Sequence, residues 1–585
     1  MSELLISTPE MQGRLCQNLQ DPPLGRLSWN KLLQHSETRS VFLTWQWLVT
    51  WWECFREGSE LYTFAVLHHG SLVGIAPLML RRQDGLRVVE FLGMGSSDYC
   101  DFIAPEENKP EVIGTVFESL LRRRDRWDRI RLRYLPERSS TARILGTLER
   151  PAGLELHTQV ESVCPALLIE ASRPFAESCT RKKSLVRHAR YFERLSPLEF
   201  RHALDADEIA DLLPQFFEQH RDRRFMAGDR SLFDDARHRR FYERMVLELL
   251  DCGWLRFSVL CWRGEVLAFH LGFMYDGIFT WYKPTLNVDY ARYSPGEVLL
   301  KKLLEDAIAS GAREFDFTVG DEAFKERFAN VKRNNLRVEI IQESRRSLGT
   351  RALEIAQRHV KQRHPALYGH IKSALHFLKR SQNGHPMDAD ATPRPAVLFP
   401  LPRMGIVRRC LWRTTPLPPV PSEFRAQWAR YSQIKAISRR EGLKPEFLIT
   451  SLARLRRGES VVVALWQERP VALLWLARDA SRILAAAGFE DELPEGAALI
   501  TDSYLAADVE VSPRRETLMP TLQTFLAAEG VSSLYGIDDT RAGASLPARC
   551  GAELEPVALY TDVGLLFWHW RRHQRIEQKP SRGGT

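Results

Sequence analysis

Cysteine is sparse and scattered. Nine cysteines stand in 585 residues, and no two form a Cys-x-x-Cys pair. An odd number without paired spacing argues against a structural zinc site or a disulfide framework, and suits a reducing compartment. Long apolar runs are missing too. None approaches the roughly 18–20 residues that a membrane helix requires, and the opening Met1-Ser2-Glu3-Leu4-Leu5 has no basic stretch ahead of an apolar core. The expectation is a cytoplasmic chain with no transmembrane segment and no metal. Net charge is small for the length: 82 basic against 74 acidic side chains leave +8. That excess permits contact with phosphates or acidic glycans but does not by itself point to nucleic acid. What the chain does have is apolar residues, 44 % of the total, enough for packed cores. At about 150 residues per domain, its length suggests three or four domains.

A pattern recurs three times, each time as three short β-rich runs joined by polar or glycine turns. The first copy is Leu61–Gly70, Ser71–Leu80 and Leu86–Leu92. The second is Trp254–Trp262, Val266–Met274 and Gly277–Lys283, and the third is Val461–Trp466, Val471–Leu476 and Arg482–Ala487. Such runs predict an antiparallel meander. Helical periodicity follows at Glu111–Leu121, Gly296–Ala309 and Glu516–Ala528, and an apolar strand after each at Ile130–Leu135, Glu314–Val319 and Ser533–Ile537. Helix-rich stretches precede the copies at Phe42–Phe55, Ile209–Leu250 and Phe424–Arg457. The fold class is therefore mixed α/β (α+β), with tandem modules each built as a meander followed by a helix and a strand. The expected boundaries are 1–165 and 166–345 for the first two modules. A helix at Leu348–Leu378 and a proline-rich linker occupy 346–422, the third module spans 423–572, and a polar tail covers 573–585.

Several residues carry chemistry in their pattern. Ser294-Pro295-Gly296-Glu297 opens the helix of module two: serine can cap, proline suits the first helical position, and glutamate completes a capping box. The same turn fits a ligand, because Gly296 allows close backbone approach and free helix N–H groups attract phosphate. After the last strand of module two come Asp316, Gly320 and the run Phe324-Lys325-Glu326-Arg327-Phe328. A cation there can stabilise the oxyanion of an attacked acyl group, while the ordinary alternative is a surface lysine. Strand alternation turns His270 away from Phe269 and Leu271, toward a general-base role or a satisfied core position. His220-Arg221-Asp222-Arg223-Arg224 presents arginines suited to phosphate or carboxylate, or simply a solvated face. Gly95-Ser96-Ser97-Asp98-Tyr99-Cys100-Asp101 fits a turn or a polar acceptor site. Helix Thr180–Leu195 has a basic face without interleaved aromatics, so no DNA partner is expected. The tryptophans at 45, 47, 51 and 52 are expected to fill core. In module three, Ser512-Pro513-Arg514-Arg515 replaces the glycine turn and points to a copy that only packs.

The meander-and-helix unit resembles GCN5-related (GNAT) acyltransferases. Ala268–Phe273, Asp289–Leu300 and Phe315–Phe328 resemble the CelD-like, or BioF2-like, acetyltransferases linked to cellulose and exopolysaccharide synthesis, as do Trp45-Gln46-Trp47 and Gly95–Asp101. The likeness covers about residues 40–340. The pairing of two modules also resembles Fem-type aminoacyl transferases, where a lysine in an aromatic-Lys-x-basic-aromatic motif is implicated in transfer; Lys325 takes that place. The resemblance implies acetyl-CoA, or another acyl-CoA, as co-substrate on Ser294, Pro295, Gly296, Glu297 and Val298. With Lys325 from that motif, His270 on its strand and Asp316 at its strand end complete the expected catalytic groups. The acceptor, a small molecule or glycan of the cell envelope or an exopolysaccharide precursor, would meet His220, Arg224, Asp98, Tyr99, Asp101 and Tyr282. Association with a polysaccharide-synthesis complex is a further expectation. An aminoacyl-tRNA donor and a non-catalytic accessory role are the alternatives.

Overall fold

The computed structural model describes residues 11–342 and 405–575, apart from residue 21 and breaks at 444, 457, 488, 490–491, 511–512, 540–549, 551–553 and 566–567. The expected helix at 348–378, much of the proline-rich linker and residues 576–585 lie outside the described residues. The chain divides into two compact units, Met1–His385 and Pro386–Thr585.

The first unit begins with β1 (Met11–Leu15), α1 (Arg26–Gln34) and α2 (Trp45–Phe55). Strands β2 (Ser59–Leu61), β3 (Phe64–His68), β4 (Ser71–Ala76), β5 (Leu78–Gln83) and β6 (Leu86–Phe91) follow, then α3 (Lys109–Leu121), β7 (Arg129–Pro136), α4 (Thr141–Thr147) and β8 (Leu154–Leu168). Next come α5 (Arg173–Thr180), α6 (Lys183–Glu193), β9 (Leu198–Ala203), α7 (Ala206–Ala227) and α8 (Ala236–Asp251). The unit ends with the meander β10 (Leu255–Trp262), β11 (Glu265–Tyr275) and β12 (Ile278–Leu286), then α9 (Pro295–Ala309), β13 (Glu314–Asp316), α10 (Ala323–Glu326) and β14 (Val331–Gln342).

The meander of module two forms where alternation predicts it. In module one the run Ser71–Leu80 is cut at Pro77, which has no N–H for a ladder. β4 stays in a three-stranded sheet ordered β1-β3-β4, while β5 enters an eleven-stranded sheet ordered β2-β5-β6-β7-β14-β8-β13-β12-β11-β10-β9. One sheet therefore runs through both modules. Its seam is β14, antiparallel to β7 on one side and to β8 on the other. The parallel pairs β6·β7 and β12·β13 are each joined through a helix. Trp47 and Trp51 are buried as expected. The Trp47 ring packs edge-on against Phe241 and Phe273, tying α2 of module one to α8 and β11 of module two.

The second unit has an eight-stranded sheet ordered β16-β17-β18-β19-β20-β15-β21-β22. Its strands are β15 (Gly405–Thr414), β16 (Phe424–Trp428), β17 (Ser460–Trp466), β18 (Arg469–Ala477), β19 (Ala497–Leu505), β20 (Ser533–Asp539), β21 (Leu554–Leu565) and β22 (Trp568–Arg575). Two expectations fail here. Phe424–Arg457 opens as a strand before it turns helical. Arg482–Ala487 is not a strand but part of helix Ser481–Ala487. Its alanines favour a helix, and the Asp479 carboxylate accepts hydrogen bonds from the Ser481 amide and hydroxyl at its start. The third strand is β19, which pairs parallel with β20 across helix Leu518–Ala528.

Candidate active site

Strands β12 and β13 run parallel for three residue pairs, Ile278↔Glu314, Phe279↔Phe315 and Thr280↔Asp316. Then they part: β12 continues to Leu286, while β13 ends at Asp316 and the chain turns at Phe317-Thr318-Val319. The opening between them is a cavity of about 610 Å³. Trp281, Leu286, Leu300, Phe317 and Phe324 supply apolar wall. Its polar lining holds five cationic side chains, Arg223, Arg224, Arg230, Lys283 and Lys325, against three carboxylates, Asp98, Glu297 and Glu322. A cavity with one apolar wall and charged groups facing it suits a ligand whose long arm ends in a reactive group.

Lys325 is not the surface lysine of the ordinary alternative. It is buried at 3 % exposure. Its ammonium donates to the Val319 carbonyl at 2.8 Å and pairs with Glu322 at 2.9 Å, which leaves one of its three N–H groups for a ligand. Gly320 makes this possible. It sits at φ 133°, and a Cβ there would lie 2.2 Å from the Glu322 carboxylate and 2.7 Å from the Lys325 ammonium. Thr318 holds the turn in a left-handed conformation, φ 55°, rare for a β-branched residue. Its amide donates to Asp316 at 2.8 Å, and its hydroxyl donates to the Trp281 carbonyl at 3.1 Å across the opening.

Asp98 reaches the cavity from module one. Burial raises its carboxyl above the usual range, opposed by Lys283, by a Thr318 hydrogen bond and by Lys325. Burial lowers the Lys283 ammonium; Asp98 counters it, and Arg224 and Lys325 add to the lowering. The Lys283 ammonium also rests 3.9 Å from the centre of the Tyr282 ring. The structure therefore brings together Lys325, Asp98, His220, Arg224, Gly296, Glu297 and the Tyr282 ring. His220 is neutral there: burial, with Lys283, Arg223 and Arg224, pushes it down to about 3, and its Nδ1 meets the Ser231 hydroxyl at 2.8 Å. The Tyr282 hydroxyl is turned away and bonds Tyr242 and the Ser96 carbonyl.

Other expected site residues lie elsewhere. His270 is fully buried, its Nε2 accepts from the Tyr282 amide at 3.2 Å, and burial, then His202, pushes it down to about 3. It lines no part of the cavity and does not fit a general base. Asp316 faces the opposite side, beside a small space shared with Tyr99, whose hydroxyl donates to it at 2.9 Å. Asp101 is fully buried and accepts from Lys109, Thr38, Ser139 and Thr141, a structural network rather than a contact for an acceptor. Ser294 makes no capping bond, and the expected capping box is not formed. The Glu297 carboxylate instead meets His188 at 3.0 Å and Arg327 at 2.9 Å. Pro295 and Val298 are buried at the start of α9. Arg223, part of the arginine run the sequence singles out, also lines the cavity; the residues missed by sequence reasoning are Lys283, Arg230, Glu322 and Thr318. For Lys283 a signal existed, a lysine ending the otherwise uncharged run Ile278–Tyr282.

Among the described residues no helix is long and apolar enough to cross a membrane, and no group of three His, Cys, Asp or Glu side chains is placed to hold a metal.

Residues 180–326 match the family model of the acetyltransferase (GNAT) domain. No curated protein matches the chain. Among solved structures, FemX is similar with a TM-score of 0.41 and 11 % identity, over 53 % of this chain and 95 % of that one. The tandem GNAT protein from the clavulanic acid biosynthesis pathway has a TM-score of 0.35 and 12 % identity, over 57 % of this chain and 100 % of that one. An acetyltransferase of the GNAT family from Colwellia psychrerythraea has a TM-score of 0.30 and 10 % identity, over 57 % of this chain and 99 % of that one.

Proposed function

We propose that the chain is an acyltransferase that moves an acyl group from acetyl-CoA, or another acyl-CoA, to an amine or hydroxyl. The observation that carries this reading is the cavity between the parted strands β12 and β13, where the Lys325 ammonium and the Asp98 carboxylate face one space. The match of residues 180–326 to an acetyltransferase domain supports it. The apolar wall that Trp281 and Phe317 give the cavity suits the donor's pantetheine arm. Asp98, its proton affinity raised, takes the proton from the acceptor as its nitrogen or oxygen attacks the acyl carbonyl. The free N–H of Lys325 donates to the oxyanion that forms. Glu322 and the Val319 carbonyl hold that ammonium in place, and Thr318 ties β12 to the turn that carries it. Collapse of the tetrahedral adduct releases the thiolate, which takes up a proton. The motifs shared with exopolysaccharide-linked acetyltransferases support a sugar-bearing acceptor from that class of precursor.

The test is thiol release from acetyl-CoA in the presence of amino sugars and other amine or hydroxyl acceptors, with aminoacyl-tRNA as a separate donor. Lys325→Met keeps the stem and deletes the charge. It should lower turnover by about 10²–10³ with donor affinity little changed; turnover within about threefold of wild type removes Lys325 from the chemistry. Asp98→Asn should abolish the rising acid limb of the kcat/KM profile, which in wild type lies above the usual carboxylate range. Transfer from aminoacyl-tRNA without transfer from any acyl-CoA would replace the donor named here.

A further inference from the structure

We propose that the phosphates of the acyl donor rest on the arginine cluster at the end of α7, Arg223, Arg224 and Arg230, and not on the N-terminus of α9. This inference rests on the acyl-transfer reading above.

The start of α9 is poorly equipped for a pyrophosphate. Pro295 has no N–H. The amides of Glu297 and Val298 both donate to the Ser294 carbonyl, at 3.0 and 3.3 Å, so of the first four helical residues Gly296 alone keeps an uncommitted N–H. The helix also carries its own anion. The Glu297 carboxylate lies in the first turn and is closed into a network: Arg327 bonds it at 2.9 Å and the Ser184 hydroxyl at 2.6 Å, while His188 approaches from α6 at 3.0 Å. The favourable interaction of a helix N-terminus with negative charge is thus already made internally. A phosphate brought there would meet a carboxylate.

Across the same cavity the situation is reversed. α7 ends at Gly228, whose left-handed conformation, φ 84°, turns the chain so that Arg230 joins Arg223 and Arg224 on one cavity wall. Arg223 uses one N–H on the Pro284 carbonyl at 2.6 Å, beside the open half of β12. Arg224 has a 3.4 Å ion pair with the exposed Asp229, and Arg230 has no ion pair or side-chain hydrogen bond among the described residues. Of the other two carboxylates in the cavity, Glu322 is bound by Lys325, though its charge also reaches Arg223, and Asp98 faces Lys283 and Thr318. The positive field is felt by His220, whose proton affinity is lowered by burial and then by Lys283, Arg223 and Arg224. Guanidinium groups with spare N–H donors match phosphate oxygens in geometry and charge. Like charges crowded on one wall repel each other until an anion arrives.

The experiment is calorimetric titration of the full chain with CoA, with pantetheine, which has no phosphate, and with inorganic pyrophosphate. In the double variant Arg223→Gln/Arg230→Gln, affinity for CoA and pyrophosphate should fall about tenfold or more, as loss of charge-assisted hydrogen bonds predicts. Pantetheine affinity should stay unchanged, which also shows that the variant is folded. Arg223→Lys/Arg230→Lys should recover part of the loss. Glu297→Gln should leave CoA affinity within about twofold, since no phosphate would lie beside it. Unchanged CoA affinity in the arginine variant with a raised acceptor KM would overturn the inference and assign the arginines to an anionic acceptor. A large gain in CoA affinity in Glu297→Gln would overturn it in favour of α9. A wild-type chain that binds no CoA would remove the acyl-CoA donor itself, a failure distinct from the other two.

Discussion

Asp316 is held at about 6, raised by burial and by Glu314 and opposed by the Thr318 amide, the Tyr99 hydroxyl and Arg333. Its folded form therefore keeps a proton that the unfolded chain releases near 3.8. Between those values the folded state binds more protons, so stability is full below the lower value and is lost as pH rises through about 6. Asp316→Asn keeps the oxygen that accepts from Thr318 and Tyr99 but does not titrate. The variant should gain on wild type by about 2 kcal/mol as pH is raised from 4 to 7. Melting curves across that range check this; a difference independent of pH would show that the carboxyl titrates normally. Asp316 thus positions Thr318 and Tyr99, and Thr318 positions the opening. From sequence its place at a strand end looked catalytic, because nothing local tells which side of a strand end faces the ligand.

Gly320 governs the turn between β13 and α10. Gly320→Ala forces a Cβ into a positive-φ position and against the Lys325–Glu322 pair, at a cost of about 1–3 kcal/mol. Turnover should fall with the melting temperature because the ammonium is displaced, and Lys325→Met should then add little further loss. Elements of this unit were legible where the pattern was strict. The alternating runs of module two predict β10 and β11 to within one residue at each end, and β12 to within three. Arg482–Ala487 misled because an alanine-rich run without β-branched residues beyond Ile483 has no strand signal of its own and was placed by analogy with the other copies. The aromatic-lysine motif drew attention to Lys325, which the structure places in the cavity wall, but its partners were hidden. Asp98 and Lys325 stand 227 positions apart in the chain, and periodicity says nothing about pairs brought together by a sheet seam. The cap at Ser294 was misread for a related reason: Glu297 is claimed by His188 and Arg327 from other elements.

At the scale of the molecule the same arrangement appears three times, each with a parallel strand pair joined through a helix. In the third copy Arg514 pairs with Glu423 at 3.3 Å and lies 4.8 Å over the Trp466 ring. With Arg514 engaged by its own neighbours and a single donor site proposed in module two, Arg514→Ala with Arg515→Ala should leave acyl-CoA stoichiometry at one per chain. Loss of a second bound equivalent would show a second site. The seam of the large sheet has a consequence for how the protein is made. β14 is the last strand of that sheet to leave the ribosome, yet it fills the central gap, in register with β8 from Val331↔Ala166 to Gln342↔Leu154. A nascent chain that stops at residue 330 presents β7 and β8 with an unpaired edge each, in the middle of an unfinished wall. Such edges recruit other chains or chaperones. Ribosome-stalled chains ending at 330 should be captured by a holdase and cut readily in pulse proteolysis, whereas chains stalled far enough beyond 342 for β14 to emerge should resist, the insertion of one late strand closing both modules at once.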